Sequence, residues 1–379
     1  MRRKRMIKLL ELFAGIGACS KALERLRIEH EIVDAVEIDK YAIASFNAIH
    51  GTNFEPQDIT KWDKDIQVDL IMHGSPCQDF SVAGKQAGGD IGTGTRSSLM
   101  YETIRIVNKL KPKYVIWENV KNLLSKNHIH NFNNYINIMC EGGYNSYYQI
   151  LNSKDYGIPQ NRERVYTISI RKDIDKGFEF PPKEELKLKL KDMLEDVVDE
   201  NYYVTDKMKK YILDLDEKQC NTKWSNRTNE GKINPSIAYT LGVRSAGGNQ
   251  RAGVSNFILD NTDDEITVKS LKIKNNTKLG YLEAYEGDGV YTNITNKRGT
   301  VQPQTIQTIT TRRDLGVVEK GLKIRKLTPK ECWRLMGFDD KDFEKAKSTG
   351  MSNTQLYKQA GNSIVVNVLE KIFINLFRR

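Results

Sequence analysis

The sequence predicts an α/β protein, a doubly wound and mostly parallel sheet with a second, smaller domain. Three observations carry this. Short apolar runs alternate with helical patterns from Met6 to about Arg171. The first apolar run ends in a two-glycine turn, Ala14-Gly15-Ile16-Gly17. After Gly177 the alternation fades, Phe180-Pro181-Pro182 punctuates the chain, and a polar, basic stretch follows.

Strands are expected at Ile7–Phe13, Glu31–Glu37, Val68–His73, Tyr114–Trp117, Ser146–Leu151 and Val165–Ile170, each short and apolar enough to be buried. Between them Lys21–Arg27, Tyr41–Ile49, Leu99–Leu110 and Asn133–Met139 space apolar residues at helical intervals. Right-handed crossovers then place ligands at the carboxyl ends of the strands. The basic tetrad Arg2-Arg3-Lys4-Arg5 before an apolar stretch mimics a signal peptide, but Lys8 and Glu11 interrupt that stretch, so a strand entering a glycine turn is expected. Helical periodicity returns at Thr328–Met336, where Thr328-Pro329 reads as an N-cap and N1 proline, and at Ser363–Phe377.

With 379 residues, 39% of them hydrophobic, the chain can bury a large core and is no disulfide-stapled mini-protein. No apolar run in the sequence approaches a membrane-spanning length, and the mean hydropathy is −0.56. The net charge of +10 favours a polyanionic partner. Five scattered cysteines without a Cys-x-x-Cys pair suggest neither a zinc site nor a disulfide framework, and a reducing cytosol fits them. In the basic stretch from about Asn221 to Asn256, five Lys and Arg residues face only Glu230, which suits a solvated loop or a nucleic-acid surface equally.

Chemistry concentrates at the strand ends. Gly15 and Gly17 let the backbone turn sharply and bring N–H groups toward a ligand, but Ser20 stands where a dinucleotide fingerprint wants a third glycine. Glu37 ends the second strand, where an acid binds both hydroxyls of a ribose, and Asp58 follows in a similar position. Two acids and a glycine turn suit an adenosine without phosphates, such as that of S-adenosylmethionine; each acid taken singly is also an ordinary surface residue. The third strand leads into Gly74-Ser75-Pro76-Cys77-Gln78, which puts a cysteine on a loop at the ligand edge. Most cysteines are small buried hydrophobes, but this position favours a nucleophile. The next strand runs into Glu118-Asn119-Val120, bringing a carboxyl to the same edge for general-acid assistance. Arg162 and Arg164, two apart at the start of a strand, are expected to take different partners, one in contact and the other in support.

These residues occur in an ordered set that resembles the bacterial type of DNA (cytosine-5)-methyltransferase: Phe13-Ala14-Gly15-Ile16-Gly17, Pro76-Cys77-Gln78, Glu118-Asn119-Val120, Gln160-Asn161-Arg162-Glu163-Arg164, Arg325-Lys326-Leu327-Thr328-Pro329-Lys330-Glu331 and Gly361-Asn362-Ser363. The likeness covers nearly everything outside about 180–300. Ala18 stands where the family often has another glycine. The resemblance implies a Rossmann-like fold dependent on S-adenosylmethionine, with S-adenosylhomocysteine as product and no metal. It implies that Cys77 adds to cytosine C6, that Glu118 holds N3 and the exocyclic amine, and that Arg162 and Arg164 share contact with O2 and ordering of the site. The target base must leave the duplex to be reached. For the cofactor it implies Phe13 on the adenine, Glu37 on the ribose and Asp58 on the adenine amine. Gly15, Gly17, Ile38, Ile59, Pro76 and Leu99 complete that pocket, with Asn362 and Ser363 arriving from the far end of the chain. The terminal helix should therefore pack beside the first strand.

Residues 1–180 and 352–379 are then the catalytic and cofactor-binding domain, and 181–351 the target-recognition domain and hinge. Gln78 and Ser81 are expected on target-strand phosphate, on a glycine-rich loop running to about Thr95 that is free to close. Arg244, Arg251, Arg312 and Arg313 are recognition candidates, and Thr308-Ile309 resembles the family's Thr-aliphatic pair, with Thr240-Leu241 as its rival. The expected partner is double-stranded DNA, acted on by a cytoplasmic, nucleoid-associated monomer without a membrane. A cognate restriction endonuclease acting separately, as in a restriction-modification system, is an open partner. Two alternatives remain: a tRNA cytosine-5 methyltransferase, opposed by the long insert between Arg171 and Arg325, and a catalytically silent DNA-binding regulator, opposed by the intact Cys77, Glu118, Arg162 and Arg164.

Overall fold

A computed structural model describes residues 6–75, 99–205, 209, 270–292, 299–311, 314–321 and 323–377. The chain divides into two units. The first comprises Met1–Glu195, Gln307–Arg313 and Thr328–Arg379, and the second Asp196–Ile306 and Asp314–Leu327.

The first unit is built on seven strands in chain order, β1 (Ile7–Leu12), β2 (His30–Val36), β3 (Leu70–His73), β4 (Tyr114–Val120), β5 (Tyr144–Asn152), β6 (Gln160–Asn161) and β7 (Glu163–Arg171). Six form one sheet in the order β2-β1-β3-β4-β7-β5. Neighbours from β2 to β4 are parallel, whereas β7 runs antiparallel to both β4 and β5. The reversal has a local cause. Only residues 153–162 separate β5 from β7, too few for a helical crossover, so the two strands pair antiparallel. That short connection carries Gln160-Asn161-Arg162 to the carboxyl end of β4, where Val120 pairs with Arg164.

Helices α1 (Ala18–Arg25), α2 (Lys40–His50), α3 (Met100–Leu110) and α4 (Ile129–Glu141) alternate with the strands, as the periodicity implies. Asp39 caps α2 by accepting from Tyr41 N, and Gly51 ends it in the left-handed region. The core under β3 and β4 is aromatic: Trp117 stacks on His73 at 5.7 Å and packs against Phe132 and Tyr135. Burying groups of this size supplies the main driving force for the sheet.

Four helices follow, α5 (Pro329–Arg334), α6 (Asp340–Ser348), α7 (Asn353–Asn362) and α8 (Val366–Phe377). Thr328 caps α5 as expected, with Pro329 in its first turn, and Glu331 completes a reciprocal capping box. Helices α6 and α7 escaped the periodicity because charged and polar residues dominate them, leaving few apolar anchors such as Phe343, Leu356 and Tyr357. Taken together, Asn353–Phe377 is long and apolar enough on composition to cross a bilayer. The helix breaks between Asn362 and Val366, however, and Leu356, Val368, Leu369, Ile372 and Phe373 lie in the core. The terminal helix packs on α1, the helix that follows β1, where Arg25 pairs with Glu370 at 3.1 Å. Lys21, wholly buried, reaches Asp339 and Asp342 at 3.1 and 2.9 Å.

In the second unit, Val301–Gln302, Gly289–Tyr291, Leu315–Glu319 and Lys323–Lys326 form an antiparallel sheet in that order, and Leu271–Lys274 pairs with Tyr281–Ala284. A small core of Val204, Ile273, Ala284, Val290, Val318 and Ile324 holds these strands together. Buried Arg325 pairs with Glu319, which also accepts from Tyr203 Oη at 2.7 Å.

Candidate active site

The site is assembled at the carboxyl ends of β1 to β4. β1 stops at Leu12 because the backbone turns left-handed three times, at Phe13 (φ 53°), Gly15 (φ 56°) and Gly17 (φ 80°). Gly17 is required twice over. A Cβ there would lie 2.1 Å from His50 Nε2, whose ring sits against the turn and bonds Ile16 O at 3.2 Å. Gly15 instead faces open space and donates its N–H to Glu37 Oε2 at 3.0 Å. Glu37 Oε1 accepts from Asp39 N at 2.8 Å, so the carboxylate is fixed across the strand ends. Burial pushes the Glu37 carboxyl up, against the pull of those N–H groups.

Beside it Ile38 is 71% exposed, an apolar side chain with a bare face at the end of a buried strand. Phe13 is half-buried against the core, and Leu99 is half-buried just ahead of α3. Asp58 caps its own turn, accepting from Thr60 N and Oγ1 at 3.0 and 2.8 Å, and these bonds hold its carboxyl low. Ile59 is buried in the core. Exposed Asn362 ends α7 and buried Ser363 follows it. A fixed carboxylate with spare lone pairs, open space over a glycine and a bare apolar face fit a nucleoside with two free hydroxyls.

On the neighbouring edge β3 leads to Gly74 and Ser75. Trp117 Nε1 donates to Ser75 Oγ at 3.0 Å and Asn119 Nδ2 to Ser75 O at 3.4 Å. Glu118 stands between those two residues on β4. A Cβ on Gly74 would lie 3.8 Å from Glu118 Oε2, so the chain passes beside this carboxyl two peptides short of position 76. Cys77, Pro76, Gln78, Ser81 and the rest of the glycine-rich loop lie outside the described residues, as do Arg244, Arg251, Arg312, Arg313 and the Thr240-Leu241 pair.

Glu118 is 8% exposed and pairs with Arg164, Nε to Oε1 at 3.1 Å. Burial raises its carboxyl above the usual range, and the charges of Arg164 and Arg162 offset this only in part. The two arginines have separate partners. Arg162, buried just before β7, donates to Ile309 O at 3.0 Å, Gly361 O at 3.3 Å and Ser363 O at 2.8 Å, whereas Arg164 turns to Glu118. Thr308, half-buried, donates through Oγ1 to Asn161 O at 2.9 Å. Gln160 and Gly361 belong to this cluster too. Their presence in Gln160-Asn161-Arg162-Glu163-Arg164 and Gly361-Asn362-Ser363 was the only signal in the sequence, and it assigned them no role.

Fold and site together define an α/β protein whose strand ends fit a nucleoside. The model of the C-5 cytosine-specific DNA methylases matches residues 7–378. A curated relative named orphan methyltransferase M.SPRI, from Bacillus phage SPR, is 35% identical, the match covering 98% of this chain and 97% of the relative. Type II methyltransferase M.HhaI of Haemophilus parahaemolyticus is 32% identical over 98% of this chain and 94% of its own. Among solved structures, the Entamoeba histolytica methyltransferase EhMeth superimposes with a TM-score of 0.62 at 17% identity, covering 99% of this chain and 98% of that one, a likeness of fold. The chain belongs to the C-5 cytosine-specific DNA methylase family. It is thus a DNA (cytosine-5)-methyltransferase of an S-adenosylmethionine-dependent family whose substrate is DNA.

Proposed function

We propose that the enzyme methylates one cytosine within a specific duplex word by flipping the base out and forming a transient bond from Cys77 to C6. The observation that carries this is the buried Glu118, held by Arg164 beside the Gly74 backbone that leads into Cys77. Cytosine C5 is too electron-poor to attack a methyl sulfonium unaided. Addition of the Cys77 thiolate to C6 moves electron density to C5, and a protonated Glu118 gives its proton to N3 as that density builds. The raised Glu118 pKa favours the acid form this step needs. Once C5 carries the methyl group, it loses its proton to a base, the C6–S bond breaks, the thiolate returns and N3 gives its proton back to Glu118.

The cofactor S-adenosylmethionine supplies an electrophilic methyl group and leaves as S-adenosylhomocysteine. Glu37 would hold its ribose hydroxyls, Ile38 and Phe13 its adenine, and Gly15 would give it close approach to the backbone. Asp58 and Ile59 would meet the adenine edge, and Pro76, Leu99, Gly17, Asn362 and Ser363 would close the pocket. Arg164, paired with Glu118, would reach the base, and Arg162 would order the site. No metal is called for. Residues 181–351 would read the target, with Thr308, Arg244, Arg251, Arg312 and Arg313 as contacts to DNA and Gln78 and Ser81 on phosphate. Acting on DNA, the enzyme would work as a cytoplasmic monomer. Relatives carrying type II names support a separate cognate endonuclease.

Bisulfite sequencing of plasmid from cells expressing the protein tests this reading. One recurrent methylated word is expected with the wild type and none with Cys77→Ala, and the wild type should be trapped covalently on 5-fluorocytosine DNA. Methylation by Cys77→Ala would overturn the covalent route, and 5-methylcytosine in RNA but not DNA would move the substrate to RNA.

A further inference from the structure

Seven residues, Gln307–Arg313, return to the first unit between two legs of the second. The described part of this segment is gripped on all sides. Gln160, wholly buried, accepts from Ile309 N at 3.0 Å through Oε1 and donates through Nε2 to Leu335 O at 2.7 Å, just past α5. Arg162 takes the other polar group of the same residue, Ile309 O. Thr308 bonds Asn161 O. From the opposite side Gly361 lies so close that a Cβ on it would meet Thr310 C, Thr310 O and Thr311 N at 2.5, 2.6 and 2.6 Å. The backbone N–H and C=O of one buried residue are therefore both satisfied by side chains two apart in a single segment, which leaves that residue one allowed position.

We propose that Gln160 is a positioning residue: its amide clasps Ile309 so that residues 308–311 and the Arg162 guanidinium form one rigid strap at a fixed distance from Glu118. The strap presents Thr308 and Thr310 to DNA from the same frame that holds the catalytic carboxyl. Gly361 is the matching half of the clasp, since only a residue without a side chain lets the strap lie flat. The proposal rests on the roles of Glu118 at the flipped cytosine and of Arg162 in ordering the site argued above. Its physical half, the clasp, can be tested without any turnover.

Amide hydrogen exchange over 306–311 and steady-state kinetics would be measured on the full-length wild type, Gln160→Met, Gln160→Glu and Gly361→Ala. Gln160→Met keeps the side-chain length and removes both bonds. Gln160→Glu keeps an acceptor for Ile309 N and loses the donor to Leu335 O, so it should fall between Met and the wild type. In Gln160→Met, exchange at Ile309 should rise about tenfold, the size of one lost buried hydrogen bond, while β1 and β3 stay protected. KM for DNA should rise and flipping of a 2-aminopurine target should fall by about the same factor, with S-adenosylmethionine affinity within twofold. Gly361→Ala should do likewise by pushing the strap outward. Unchanged exchange at Ile309 would overturn the clasp. Faster exchange with unchanged KM for DNA and unchanged flipping would overturn its role. A wild type that makes no 5-methylcytosine would instead fail the underlying reading, and the exchange arm would still decide the clasp.

Discussion

Glu118 Oε1 lies 3.1 Å from Arg164 Nε across the β4–β7 pair, a buried acid whose counter-charge comes from the antiparallel strand that breaks the parallel order of the sheet. Burial lifts the acid and the arginine pulls it back, and burial is the larger effect.

Removing the proton without changing the shape isolates the acid. Glu118→Gln should slow the methyl-transfer step by about 10²–10⁴-fold, the usual range for general acid–base help, with DNA affinity nearly kept. Single-turnover rates measure this, and an unchanged rate would make Glu118 structural.

Removing the counter-charge should move the titration. Because Arg164 favours the ionised form, Arg164→Ala should carry the kcat limb that reports Glu118 protonation to higher pH. A pH–rate profile that shifted downward would mean that Arg164 does not set this acid.

The cofactor turn gives a test of backbone geometry. Gly17→Ala puts a side chain at φ 80° and onto His50, which should cost at least about 1–2 kcal/mol of stability and weaken S-adenosylmethionine binding. Gly17→Ala with His50→Ala should recover the His50 share of the clash, and neither the contact with Phe46 Cε2 at 2.8 Å nor the backbone part. Thermal unfolding and cofactor titration of both variants separate the two.

Stability should also carry a mark of Glu11, a buried acid next to the end of β1 that accepts from Ser20 N at 3.0 Å. Burial raises its carboxyl from 4.5 to about 7. The folded state therefore holds this proton more tightly than the unfolded chain. Its contribution is full below pH 4.5 and is lost as pH rises through about 7, a change of roughly 3 kcal/mol. His73 and His50, lowered by burial to about 3 and about 4, act in the opposite sense as pH falls below 6.5. The difference in melting temperature between wild type and Glu11→Gln, measured from pH 4.5 to 8, isolates the Glu11 slope. A flat difference would show that Glu11 is ionised in the fold throughout.

Target choice should follow the insert. Exchanging residues 181–324 with the matching segment of a relative of known specificity should transfer that relative's word, because base-edge contacts specify and phosphate contacts position. Methylome sequencing reads the result, and an active chimaera that kept the original word would place specificity elsewhere.

The sheet was legible in the sequence because its central strands are buried on both faces and read as apolar runs, with Leu9 and Leu10 in β1 and Ile71 and Met72 in β3. Strand-end residues such as Glu37 and Glu118 were legible for a related reason: a charge closing such a run must sit at the ligand edge. The clasp around Ile309 was not. Its partners lie 147 to 201 residues apart, and they meet main-chain atoms, which leave no trace in side-chain patterning. Helices α6 and α7 were hidden because their stability comes from capping and packing, not from an apolar stripe.

The long reach of these bonds bears on how the enzyme comes into being on the ribosome. Lys21 in the first helix finds its carboxylates at Asp339 and Asp342, Arg25 finds Glu370, and Arg162 finds two of its acceptors at Gly361 and Ser363. A nascent chain that has emerged only as far as residue 320 leaves Lys21 with Glu24 and Arg162 with Ile309 O but without their later partners, and a charge buried with an incomplete set of partners is costly. Methyl transfer is therefore expected only late in synthesis, and a chain truncated before Asp339 should carry no activity.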